Sequence, residues 1–168
     1  MNDAHLHMIV NHFPIIGTIF GLGILITGMI LKNNSVKNTA YALFIIAAIF
    51  GAFSMGTGEG AEEVVEKLSG VTKEIIETHE ELAEKFAISL YVLGGFSLVG
   101  LVLNIKNHAK AKPVSWLAIV IALIALFLAI KVGLSGGEVR HTEIRTDATQ
   151  AAGEQTAGGK ETLENKDE

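Results

Sequence analysis

Three histidines far apart in the chain, His12, His79 and His141, stand where an imidazole can do chemistry. The side chain titrates near neutral pH and, when neutral, ligates zinc, copper or haem iron through a ring nitrogen. Carboxylates accompany them. Glu59 and Glu62 lie in Thr57-Gly58-Glu59-Gly60-Ala61-Glu62-Glu63, and Glu138 lies in Gly136-Gly137-Glu138-Val139-Arg140-His141. Glu138 and His141 have the i,i+3 spacing of carboxylate dimetal centres, but such a centre needs two Glu-x-x-His elements and this is the single one. Arg140 is suited to bidentate hydrogen bonding, either to the acidic loop or to a propionate. Two chemistries follow. A Zn or Cu ion would draw on His12, His79, His141, Glu59, Glu62 and Glu138, since borderline metals accept mixed imidazole–carboxylate shells. Alternatively, two histidines on facing helices would ligate one haem iron axially, with His12 and His79 the first pair and His141 a third candidate.

The elements that must position these groups are four apolar runs, residues 13–31, 40–56, 86–105 and 114–136. Each approaches the ~20 residues a helix needs to cross ~30 Å of hydrocarbon. Lys131 is the single charge within them. Soluble bundle helices would carry a polar stripe, which residues 117–130 do not. The expected fold is therefore all-α, an integral membrane four-helix bundle spanning residues 1–145. Alternating loops bring His12, the 57–63 segment, His79 and His141 to one end of it.

Lysine placement gives an orientation. Lys32 and Lys37 follow the first run, and Lys106, Lys110 and Lys112 follow the third, whereas residues 57–85 are strongly acidic. Basic short loops stay cytoplasmic, so both termini and the acidic loop are expected outside, which in a bacterium means the periplasmic face of the inner membrane. The first run lacks a basic n-region and a small-residue cleavage site, so it reads as a retained anchor. The chain has no cysteine, which excludes disulfides, cysteine-ligated iron–sulfur clusters and covalent haem attachment. The net charge of −5 sits in the acidic loop and tail, and no basic patch points to nucleic acid. Residues 146–168 are polar throughout and are expected to be a disordered tail.

Within the acidic loop, Ala61, Val64, Val65 and Leu68 recur at helical spacing until Gly70 breaks the run. Val71, Ile75, Leu82 and Phe86 then form an apolar stripe leading into the third run, so that helix should extend beyond the lipid. His79 lies on this stripe and should face protein. His12 shares a helical face with Ile16 and Ile19, expected to be buried. His5 and His7 have the period-two spacing of an extended segment, and His108 lies among loop lysines. Lys131 either snorkels to the interface or pairs with Glu59 or Glu62. Gly136-Gly137 should permit a sharp exit from the last helix. Gly17 and Gly21, with Gly94, Gly95 and Gly100, have spacings that allow close helix approach. No nucleophile elbow, phosphate loop or H-E-x-x-H element is present.

Taken together, His5, Asn11-His12-Phe13-Pro14, Thr57-Gly58, Ala61-Glu62, His79 and Gly136-Gly137-Glu138-Val139-Arg140-His141 resemble a bacterial four-helix membrane family of unknown function. That family has a His-Phe-Pro start and a Gly-Gly-x-x-x-His finish, and the resemblance covers residues 1–145. Related domains are sometimes fused to Rieske or c-type cytochrome modules. The resemblance thus implies a b-type haem or quinone-linked electron-transfer role, with a separate redox partner of Rieske or cytochrome type. The expected partners also include the lipid bilayer and a second copy in a homo-oligomer. A non-catalytic structural subunit, whose polar cap pins four helix ends, is the remaining expectation.

Overall fold

In the computed structural model, residues 3–68, 70–141 and 144–145 are described. They form five helices: α1 (Asp3–Val10), α2 (His12–Ile30), α3 (Asn34–Val65), α4 (Lys73–Ile105) and α5 (Ala111–Arg140). The chain is all-α, and α2 to α5 make an antiparallel four-helix bundle whose members are each long and apolar enough to cross a membrane. Length times rise gives about 28 Å for α2, close to the hydrocarbon thickness, and about 48–50 Å for α3 and α4. Those two therefore project well past the apolar layer, at the end where α1 and the last turn of α5 lie. We call this the histidine end.

Local chemistry fixes the turns. Asn33 caps α3, its side chain accepting from the backbone N–H groups of Ser35 and Val36, and Thr72 caps α4 by accepting from Ile75. At the opposite end, α2 and α4 terminate in the same way. The N–H of Asn33 donates to Gly28 O while that of Lys32 donates to Met29 O. Correspondingly, His108 donates to Leu103 O and Asn107 to Asn104 O. Lys32 and Asn107 take the left-handed conformation this closure requires, with φ 51° and 49°. Gly70 does so between α3 and α4, with φ 78°.

Lipid tails are as apolar as leucine, so bundle helices associate through close packing and internal hydrogen bonds. Tyr41, Phe44, Leu25, Leu90 and Leu93 fill the core, and α5 lays Ala118, Ala122, Ala125 and Ala129 against it. Gly17 approaches Ala47 and Gly21 approaches Phe44, whereas Gly95 faces open space. The Tyr41 hydroxyl lies 2.7 Å from Ser115 Oγ, and Asn104 donates to Asn34 O and Asn38 Oδ1 at the non-histidine end. Large apolar side chains such as Phe20, Ile30, Phe53, Trp116 and Phe127 are exposed around the bundle.

Several expectations require correction. His5 and His7 lie on helix α1, not an extended segment. The helical spacing that starts at Ala61 is present as the last turn of α3, which runs unbroken from the second apolar run to Val65. Gly136-Gly137 do not end α5, which continues to Arg140. On α2 the buried residues are Pro14, Thr18, Gly21, Leu22, Leu25 and Gly28, while Ile16 and Ile19 are about half exposed. The face assigned to His12 is thus the outward one. Lys131 Nζ stands 5.3 Å from the Phe127 ring centroid in place of an ion pair with Glu59 or Glu62. The helical extension of α4 is present as expected, with Ile75 and Phe86 buried along it and Val71 buried just before its cap. The tail assigned to residues 146–168 lies outside the described residues.

Candidate histidine site

The α4 core stripe of Phe86, Leu90, Leu93, Ser97 and Gly100 extends backwards, at spacings of three and four, to His79. The ring is half-buried against α5, where a Cβ added at Gly136 would lie 3.0 Å from its Cε1. A side chain at that position would require the ring to shift. His79 Nδ1 is 3.0 Å from Ser135 Oγ. Ser135 already donates its one proton to Val132 O at 3.1 Å, so here it accepts and Nδ1 carries the hydrogen. The Nε2 lone pair of His79 is left available.

Continuing the buried stripe of α2 backwards from Pro14 gives Asn11 and then His7. Pro14 has no N–H for Val10 O, so the helical bonding is irregular where α1 meets α2, although Asn11 keeps helical dihedral angles and its N–H donates to His7 O at 3.0 Å. Beyond that junction α1 lies against α3. His7 Nδ1 sits 3.1 Å from both Ser54 O and Thr57 Oγ1. A carbonyl can only accept, so Nδ1 is again the protonated nitrogen and Nε2 is again the free one. A proton on His7 works against one on His79.

Burial lowers the proton affinity of both imidazoles below the usual histidine value, and the His7 charge lowers that of His79 further. Both rings are thereby held in the neutral form that ligates metals. The consequence for stability has a definite sign. The unfolded chain takes up protons first as pH falls, so this contribution is complete above the ordinary histidine pKa of about 6.5 and shrinks below it. The thermal midpoint of detergent-solubilised protein should accordingly fall between about pH 7 and pH 5. Glu80 acts in the opposite sense. Partial burial, a hydrogen bond with Glu62 and the charges of Glu62, Glu77 and Glu66 raise its proton affinity. The difference between the native chain and a His7→Gln, His79→Gln double variant isolates the rings. An unchanged pH profile in that variant would refute the assignment.

The remaining sequence candidates are dispersed. His12 is exposed, its Nδ1 donating to Met8 O at 2.7 Å. His141 caps α5 with its backbone N–H on Gly137 O and its side chain is exposed, as is that of Arg140. Glu59 is exposed, Glu62 is half-buried beside Glu80, and Glu138 is half-buried with its carbonyl engaged by Arg145. Among the described residues no group of three or more His, Asp or Glu side chains is placed to hold an ion.

Arg145, which sequence reasoning passed over, is buried. Its guanidinium donates to Glu138 O at 2.7 Å, to Gly70 O at 2.5 Å and to Val139 O at 3.3 Å. It thus ties the last turn of α5 to the α3–α4 turn above the histidines. No family model matches the chain, and neither the curated proteins nor the solved structures contain a match to it.

Proposed function

We propose that the chain is a membrane electron-transfer protein that binds non-covalent b-type haem at its histidine end through His7 and His79. The supporting observation is the pair itself. Two half-buried imidazoles, on α1 and α4, are anchored by protonated Nδ1 atoms, held neutral and left with Nε2 free. Orientation of a ligating ring through its other nitrogen, by a carbonyl or hydroxyl, is the usual outer-shell arrangement at metal sites. The donor number also favours haem. Zn²⁺ sites take three or four protein ligands, whereas porphyrin supplies four nitrogens and asks the protein for two. Haem iron would supply a one-electron couple. Arg140, exposed at the end of α5, is available to propionates.

The lysine distribution and the acidic α3–α4 projection support a periplasmic histidine end in a bacterial inner membrane, with a separate redox partner reached from that side. The test is titration of the purified apoprotein with haemin, followed in the Soret region. The native chain should bind stoichiometrically and with a six-coordinate spectrum. His79→Ala and His7→Ala should each lose six-coordination and weaken binding by roughly 10–100-fold, while His12→Ala should bind as the native chain does. Binding unaffected by either His7→Ala or His79→Ala would overturn the pair.

A further inference from the structure

We propose that the end of the bundle opposite the histidines recruits anionic phospholipid, with Lys112 binding the headgroup phosphate and Trp116 packing against the acyl chain below it.

The first support is charge. Lys32 and Lys37 lie at the α2–α3 turn, and Lys106, Lys110 and Lys112 at the α4–α5 turn. Residues 4–58 and 85–137 contain no aspartate or glutamate, so this end supplies no carboxylate to neutralise them. The ion pairs among the described residues, Lys73–Glu77 and Lys85–Glu81, lie towards the other end of α4. A second support is that the two turns make one surface. Asn34 Nδ2 donates to Asn107 Oδ1 at 2.9 Å, and Asn104 Nδ2 donates to Asn34 O at 2.9 Å and to Asn38 Oδ1 at 2.6 Å. These bonds tie the lysine-bearing turns together and leave the ammonium groups outside the network. Lys32, Lys106, Lys110 and Lys112 are exposed. Lys37 lays its stem over α2, where a Cβ added at Gly28 would lie 2.8 Å from its Cγ. The third support is apolar. Exposed Ile30 and Leu31 precede Lys32, and exposed Ile105 precedes Lys106. On α5, Lys112 and Trp116 are both exposed and stand four residues apart, so they share one helix face. An ammonium one turn above an indole, at the end of an apolar run, matches a phosphodiester above an acyl chain. A free anion would use the lysines alone and leave the apolar half of this surface uncovered.

Trp116 is the chain's single tryptophan and so reports on this face. The full chain would be reconstituted in phosphatidylcholine bilayers containing a minor fraction of phosphatidylglycerol, with bromine on the acyl chains of one lipid or the other. Bromine quenches indole fluorescence at contact, which gives the relative affinity of the two lipids beside Trp116. The native chain should prefer phosphatidylglycerol roughly fivefold, the factor that one interfacial lysine supplies. Lys112→Gln should bring the preference below about twofold, while Lys112→Arg keeps it. Added sodium chloride should weaken it. Inorganic phosphate at constant ionic strength should leave it unchanged. Equal quenching by the two lipids in the native chain would overturn the proposal, and so would a full preference in Lys112→Gln. Loss of the preference on adding inorganic phosphate would overturn it too, by assigning the face to a free anion. Should Lys112→Gln fail to fold, which its helical circular dichroism would reveal, the native-chain comparison decides alone.

Discussion

Gly100→Ala is expected to destabilise the bundle by about 2–4 kcal/mol, against the normal preference of a helix for alanine. That preference favours alanine over glycine by about 1 kcal/mol. Here the added Cβ would lie 2.6 Å from Tyr41 Cζ, 2.7 Å from Cε1 and 2.9 Å from the hydroxyl. Tyr41 is fully buried and cannot retreat without parting its hydroxyl from Ser115 Oγ, 2.7 Å away. Ser115 is itself bound to Ala111 O, so a displaced ring leaves a polar group unmet inside the apolar layer. Overpacking and the lost bond together exceed the propensity gain. Gly95→Ala, in the same helix, meets nothing within 4 Å and should stabilise by up to about 1 kcal/mol. Thermal midpoints in detergent should move in opposite directions. Equal shifts would show that α3 and α4 are not packed as described.

Arg145→Met is the second large effect, expected to cost about 3 kcal/mol. Methionine keeps much of the stem's volume but removes the hydrogen bonds to the carbonyls of Glu138, Val139 and Gly70. Arg145 is 5% exposed, so water cannot readily take over at Glu138, Val139 and Gly70. Two of those carbonyls belong to the last turn of α5, where backbone acceptors lack helical partners and a cation is favoured. Arg145→Lys should recover only part of the loss, because one ammonium cannot span three directions as a planar guanidinium does. Limited proteolysis should open the chain near Gly70 in Arg145→Met. A cleavage pattern identical to that of the native chain would contradict this tie between α5 and the α3–α4 turn.

The four membrane-length helices and the extension of α4 were readable because apolar run length and stripe spacing report directly on them. His79 was readable for the same reason, standing on the stripe of Val71, Ile75 and Phe86. His12 lies off the core because Ile16 and Ile19, which share its face, are about half exposed. In a membrane the large apolar side chains meet lipid, and the small and polar face of Pro14, Thr18, Gly21 and Gly28 packs inward. Following that face backwards leads to Asn11 and His7. The signal was present, but the period-two spacing of His5 and His7 masked it. Ser135 and Gly136 as the seat of His79 depend on how α4 and α5 align, which spacing within either helix does not encode. Arg145 carried no local signal, since it binds backbone carbonyls, among them Glu138 and Val139 nearby and Gly70 at 75 residues' distance.

The most direct measurement is an oxidised-minus-reduced absorption spectrum of the protein purified in detergent from cells supplied with haem, beside His7→Ala and His79→Ala. The account predicts the sharp α and Soret bands of a bis-imidazole b-type haem in the native chain and their loss in both variants. A native spectrum without those bands, or bands that survive loss of either His7 or His79, would contradict it.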